Sequence, residues 1–238
     1  MRRAAVFGAS GGIGGAVVQA LAARGDVQVY AGSRRGDTPV GAAIRPFSFD
    51  LLDEASIANA MAGIFADGTL DLVFVATGVL HRAPDLMPEK NFAGLTAEAM
   101  MTLYRVNTVG PALIAKHAIA ALPRDRRSVF AALSARVGSI SDNRLGGWHS
   151  YRASKAALNM MIANLAIELS RTRPQAIAVA LHPGTVATAL SDPFQKNVPP
   201  GQLLDPAQSA EHLLAVIDEL DTEASGTLRA WDGSVITP

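Results

Sequence analysis

Tyr151 and Lys155 stand at i and i+4 in a stretch, Ser150 to Ser170, whose apolar spacing predicts a helix. They therefore share one face of that helix. A free phenol titrates near 10 and carries protons poorly at neutral pH until something shifts it. A neighbouring ammonium favours phenolate and so lowers the phenol pKa. Such a pair suits delivery of a proton to a carbonyl oxygen while hydride arrives from another molecule. Two hydroxyls upstream, Ser134 and Ser139, could enter such a site. Both also read as loop hydroxyls that bind nearby backbone.

The hydride source is suggested at the other end of the chain. Gly8-Ala9-Ser10-Gly11-Gly12-Ile13-Gly14 lies between a predicted strand, Ala4–Gly8, and a predicted helix, Gly12–Ala23. Glycine there lets the chain turn tightly and bring backbone N–H groups to a phosphate, while the helix N-terminus adds partial positive charge. In that context the turn reads as a dinucleotide site. An acidic residue about 20 positions past the turn would accept hydrogen bonds from a ribose 2′-hydroxyl. No carboxylate stands near Gly32; Ser33-Arg34-Arg35 follow instead. A hydroxyl with an arginine fork suits a 2′-phosphate, so NADP(H) is preferred and NAD(H) stays possible.

Other chemistries are excluded by composition. The chain has no cysteine, which removes disulfides, thiol catalysis and Cys-ligated metals. His81, His117, His149, His182 and His212 show no metal-ligand spacing, so no metal site is expected. His149 is expected either to line the substrate pocket or to cap the surface. Lys+Arg and Asp+Glu balance at 21 each, so neither nucleic acid nor a membrane surface is an expected partner. The uncharged stretch Ala4–Ala23 holds Gly8, Gly11, Gly12, Gly14 and Gly15, too many weak helix formers for an export or membrane helix. A cytoplasmic location is expected.

The elements that must position these residues alternate. Strands are predicted at Ala4–Gly8, Val27–Ala31, Ile44–Phe49, Leu70–Ala76, Ser128–Leu133, Ile177–Leu181 and Thr227–Trp231. Helices are predicted at Gly12–Ala23, Ala55–Phe65, Thr96–Leu122 with a bend at Pro111, Ser150–Ser170 and Pro206–Leu220. Alternation of this kind implies an α/β fold: one doubly wound parallel sheet of about seven strands with helices on both faces, occupying residues 1–238 as a single domain.

The spacing G-x-x-x-G-x-G, with Tyr151-Arg-Ala-Ser-Lys155 downstream, resembles the short-chain dehydrogenase/reductase family. The resemblance runs through Asn107, His182-Pro183-Gly184-Thr185 and Asp232-Gly233, nearly the whole chain. Asp142-Asn143-Arg144-Leu145-Gly146-Gly147 is similar to the C-factor/sniffer-like carbonyl reductases. The resemblance implies a Rossmann-type domain with Gly8, Ser10, Gly12, Ile13 and Gly14 at the pyrophosphate and Asp50 and Leu51 at the adenine. It puts Ala76-Thr77-Gly78 at the family's Asn-Ala-Gly position and Pro183, Gly184 and Val186 beside the nicotinamide, with Thr188 on the phosphates. It implies that Lys155 holds the nicotinamide ribose and that Asn107 supports a proton-relay water; a mid-helix asparagine satisfied by backbone is the alternative. The family ends its fifth strand with two serines. Anchored on Gly138, Ser134 takes the first place and Ala135 the second, which normally polarises the carbonyl.

Two functions follow as expectations. One is an NADP(H)-dependent oxidoreductase interconverting a small carbonyl compound and its alcohol, with Tyr151 as acid/base. The other is a cofactor-binding, C-factor-like signalling or sensor protein with little catalysis. A homodimer or homotetramer is implied by the same resemblance.

Overall fold

Short β-branched and apolar runs separated by amphipathic helices must bury both faces of a sheet, and the chain does so. The structure, a computed structural model, describes residues 1–238 apart from the side chain of Asn197. In chain order it runs β1 (Arg2–Phe7), α1 (Gly12–Ala23), β2 (Val27–Ser33), β3 (Ile44–Ser48), α2 (Glu54–Ala66), β4 (Leu72–Val75), α3 (Ala97–Tyr104) and α4 (Gly110–Ala118). It continues with β5 (Ser128–Leu133), α5 (His149–Thr172), β6 (Ala176–His182), β7 (Thr185–Val186), β8 (Leu203–Leu204), α6 (Pro206–Glu219), β9 (Leu228–Ala230) and β10 (Val235–Ile236).

The main sheet has eight strands in the order β10-β9-β6-β5-β4-β1-β2-β3. The chain steps outward from β1 to β3, then returns to lay β4 on the other side of β1. The strand order therefore reverses between β1 and β4, and the crevice at their carboxyl ends is where such sheets take ligands. The expected count of seven is short by one. The eighth strand, β10, pairs antiparallel with β9 after a turn at Gly233 (φ +84°). A strand of two residues has no period to read. For the same reason the small β7–β8 pair outside the main sheet was not expected.

Alternation along the central strands sorts the core. Phe7, Phe130 and Ala132 pack with Ile57 of α2, Ile114 of α4 and Leu158 and Ile162 of α5. Val6, Val129, Leu133 and Ile177 pack on the other face with Val17 and Val18 of α1 and Leu213 and Leu214 of α6.

One expected helix is four segments. Thr96–Leu122 divides into α3, a π-helical turn over Arg105–Val109, and α4, with a 3-10 turn at Ile119–Ala121. Thr96 caps the first segment through its side chain, which accepts from Ala99 N. The break falls at the π turn, and Pro111 stands within the first turn of α4, where its missing N–H costs least. Asn107 lies inside the π turn. Among the described residues no helix is long and apolar enough to cross a membrane.

Candidate active site

The glycine turn is held in a shape that side chains would break. Gly8 leaves β1 at φ +92°, and a Cβ on Gly14 would sit 2.2 Å from the Gly8 carbonyl oxygen. No side chain caps α1 at Gly11, so its first-turn N–H groups are open to an anion. A Cβ on Gly12 would lie 2.7 Å from Thr188 Cγ2, so the loop after β6 docks directly on the turn.

From this turn a groove of about 400 Å³ runs along the carboxyl ends of β1, β2 and β4. Gly8, Ser10, Ser33, Arg34, Asp50, Leu51, Ala76, Thr77 and Gly78 all line it. The buried Thr77 hydroxyl has no partner, which is the condition of a group made for a ligand. The glycine cradle, the open helix terminus and this hydroxyl fit a dinucleotide. Arg35 does not join Arg34 there: its guanidinium pairs with Asp37 at 3.0 Å, and Asp37 also accepts from Ser33 Oγ at 2.8 Å. Those bonds, Ser33 first and Arg35 second, hold the Asp37 carboxyl below its usual range. The local acidic residue that competes for the fork explains why the two arginines separate. Arg82, from the loop after β4, also lines the groove; no periodicity in that loop marked it.

Beside the groove opens a second cavity of about 270 Å³. Tyr151, Ser134, Ala135, Ile13, Pro183, Gly184, Val186 and Thr188 line it, together with Leu80, Val137, Trp148, His182 and Phe194. Trp148 meets the Tyr151 ring edge-on at 6.2 Å and Phe194 at 4.8 Å. Phe194 comes from the short 3-10 turn Asp192–Asn197, so the segment between β7 and β8 reaches the cavity. Trp148 and Leu80 were missed in the sequence because loop residues that meet across space leave no spacing to read.

Behind Tyr151 lies Lys155, 3% exposed, whose ammonium donates to the Leu133 carbonyl at 2.8 Å and sits 5.9 Å from the Tyr151 ring centre. A Cβ on Gly78 would lie 3.6 Å from Lys155 Nζ and 3.5 Å from Asn107 Oδ1. The groove floor at Gly78 thus lies against the groups beneath the phenol. Asn107 is fully buried: its Oδ1 accepts from Val79 N at 2.8 Å, and its Nδ2 donates to Val79 O at 2.9 Å and Ser154 Oγ at 3.1 Å. It ties the π turn to the end of β4 and to α5.

Four expectations change. Burial pushes the Tyr151 phenol up and draws the Lys155 ammonium down to about 8, so desolvation opposes the activation expected from their spacing. Ser139 lies outside the cavity; its hydroxyl donates to the Thr237 carbonyl and accepts from Asp142 N at 3.0 Å. The C-terminal tail, just past β10, has claimed it. Ser134 does line the cavity, but its Oγ donates to Asn159 Oδ1 at 2.7 Å. Strand alternation sends it toward α5 and leaves Ala135, without a hydroxyl, at the next position. His149 neither lines the cavity nor caps with a hydrogen bond: it packs on Phe92 at 4.3 Å with Nε2 buried and unpartnered. His182 lines the cavity, and burial lowers its imidazole to about 4, leaving it neutral at pH 7.

A model of the short chain dehydrogenase family matches residues 2–199. The 1-hydroxy-2-glutathionyl-2-methyl-3-butene dehydrogenase of Rhodococcus sp. (strain AD45) is 31% identical over 236 residues, 97% of each chain. The C-signal protein of Myxococcus xanthus is 31% identical over 138 residues, 58% of this chain and 77% of that one. The NADPH-bound carbonyl reductase from chicken fatty liver, 24% identical, superposes with a TM-score of 0.83 over 100% of this chain and 94% of its own. With the family model spanning both the glycine turn and the tyrosine–lysine pair, the chain belongs to the short chain dehydrogenase family.

Proposed function

We propose that the protein is an NADP(H)-dependent oxidoreductase that interconverts a small carbonyl compound and its alcohol, with Tyr151 exchanging the proton. The observation that carries this reading is the Tyr151 phenol lining the apolar cavity, with Lys155 behind it and close to Gly78 of the nucleotide groove. The bound nicotinamide supplies or takes the hydride. Tyr151 gives its proton to the carbonyl oxygen, and Lys155 stabilises the negative charge left on the phenol. Trp148, Leu80 and Phe194 wall the cavity with apolar surface and exclude water. Gly8, Gly12 and Gly14 seat the pyrophosphate, Ser10 and Thr188 flank it, and Ser33 with Arg34 faces the ribose phosphate. Asp50 and Leu51 border the adenine, Thr77 and Gly78 form the floor, and Ile13, Pro183, Gly184 and Val186 border the nicotinamide. The NADPH named for the chicken carbonyl reductase and the dehydrogenase activity named for the Rhodococcus relative support the same chemistry. A cytoplasmic setting suits both the cofactor and a cysteine-free chain.

A second reading, a nucleotide-binding signalling protein with little turnover, is favoured by Ala135 at the polarising position and by the likeness to C-signal. One assay separates the two. NADPH consumption across small aldehydes, ketones and quinones should give turnover that Tyr151→Phe abolishes. Ala135→Ser should raise that turnover by about tenfold or more, because one oxyanion donor is typically worth ~10²–10³. NADPH binding without turnover, unimproved by Ala135→Ser, would favour the signalling reading.

We further propose a homodimer or homotetramer. A groove between α4 and α5, lined by Pro111, Ala115, Met161 and Leu165, lies beside exposed Val109, Met160 and Ile167. Met161→Glu should then lower the assembly mass in analytical ultracentrifugation; an unchanged sedimentation coefficient would rule out this face.

Cofactor choice is expected to rest on Arg34 more than on Arg35. In fluorescence titrations, Arg34→Ala should weaken NADPH binding by roughly tenfold or more and leave NADH nearly unchanged, the loss of one charge-assisted contact. Equal weakening of both nucleotides would place Arg34 elsewhere.

The pH dependence follows from Lys155. Its folded pKa is depressed to about 8, so the ammonium is present below that pH and lost as pH rises through it. The rate of carbonyl reduction should therefore fall above about pH 8, and Lys155→Met should remove that limb of the profile.

A further inference from the structure

The helix that carries Tyr151 starts without a cap of its own. Its N-cap residue is Trp148, in the left-handed region at φ +52°, with no side-chain hydrogen bond to the first turn and no acidic residue within that turn. An open helix N-terminus exposes N–H groups and partial positive charge, which a buried position cannot leave unmatched. The match comes from far away in sequence. Glu89, in the loop after β4, is 6% exposed, and its carboxylate accepts from Ser150 N at 3.2 Å and from Ser150 Oγ. Its own carbonyl accepts from Trp148 N at 2.6 Å. Gly147 closes over the same backbone, since a Cβ there would lie 3.5 Å from the Glu89 oxygen.

These bonds are adjacent to the chemistry. Ser150 precedes Tyr151, and Trp148 packs on both Tyr151 and Phe194. The same loop supplies Leu80 and Leu86, which pack with Tyr151 in a separate small apolar cluster. Three anchors on one residue thus join the cavity wall, the start of α5 and the phenol.

We propose that Glu89 is a positioning residue for Tyr151: its carboxylate and carbonyl clamp the first turn of α5 and so fix the phenol and the Trp148 wall against the cavity. The catalytic half of this inference rests on the function proposed above, and the clamp itself does not. A carboxylate buried at this place contributes charge-assisted hydrogen bonds to otherwise orphaned donors. Replacing it with alanine leaves the Ser150 donors unpaired and frees the helix start to shift.

The test uses the full chain and the variants Glu89→Ala and Glu89→Gln, read in two independent ways. In hydrogen exchange, Glu89→Ala should speed the amides of residues 150–153 by about tenfold or more while β5 and β6 keep their protection. In NADPH-dependent reduction of the best carbonyl substrate, the same variant should lower kcat by roughly 10–10²-fold with the KM for NADPH within about twofold, the size expected when a reacting group is misplaced by about 1 Å. Glu89→Gln keeps an acceptor oxygen and should recover most of kcat. Unchanged exchange at residues 150–153 would overturn the clamp. Exchange that rises equally across β5 and β6 would reduce Glu89 to general stability and overturn positioning. Local exchange with wild-type kcat would likewise overturn positioning. If the wild-type protein reduces no carbonyl substrate, the functional reading fails, while the exchange measurement still decides the clamp.

Discussion

A single buried hydrogen bond, from the Lys155 ammonium to the Leu133 carbonyl, fixes how the rest of the site is built. A charge that is 3% exposed cannot be left without a partner, and it finds one in the last carbonyl of β5. That bond pins α5 to the sheet at the edge where ligands enter. Its geometry also dictates neighbouring residue types. A Cβ on Gly138 would sit 2.8 Å from Lys155 Cβ, whereas one on Gly78 would only touch the ammonium, at 3.6 Å. Asn107 completes the enclosure by bonding Val79 in both directions, so the end of β4 cannot move away from α5. Groove, cavity and phenol are therefore held together by the bonds of Lys155 and Asn107.

The same constraint explains why the serines do not converge. With the end of β5 held by Lys155, its alternation is fixed as well: Ala132 and Ser134 turn toward α5, while Leu133 turns toward α1 and α6. Ser134 finds Asn159 on α5 and is satisfied there. Ala135 follows with nothing to offer a carbonyl oxygen. Ser139 lies past the short turn Arg136–Gly138 and is taken by the C-terminal tail. Neutral His182, also on the cavity wall, is held at the end of β6 where β5 and β9 flank it.

What was legible in the sequence was what depends on neighbours in the chain. The helix Gly12–Ala23 and the strand Ser128–Leu133 were read to the residue, because the glycine turn and the apolar run each carry their own punctuation. The pairing of Tyr151 with Lys155 was legible because a helix repeats. The π turn was not, since one extra residue in a turn changes no pattern that a window can see. Nor was the division between Arg34 and Arg35: both are arginines after a strand, and only the folded loop gives Asp37 to one of them. Glu89 was invisible for the same reason. Its partners are a helix start that lies in another part of the chain, and nothing in its own surroundings announces them.

The balance of charge at the phenol bears on direction under the proposed function. Burial raises the phenol and lowers the ammonium, so at neutral pH Tyr151 is protonated and Lys155 is still charged. The site therefore waits with its acid loaded. Reduction of a carbonyl consumes that proton as the oxygen becomes strongly basic, and the phenolate then forms beside an ammonium that stabilises it. Oxidation of an alcohol needs the phenolate beforehand, a state that desolvation disfavours. Removing water from the cavity raises the cost of both charges when separate and strengthens their attraction once both exist. Apolar walls from Trp148, Leu80 and Phe194 thus keep the resting phenol neutral and, once a phenolate forms, strengthen its attraction to the ammonium.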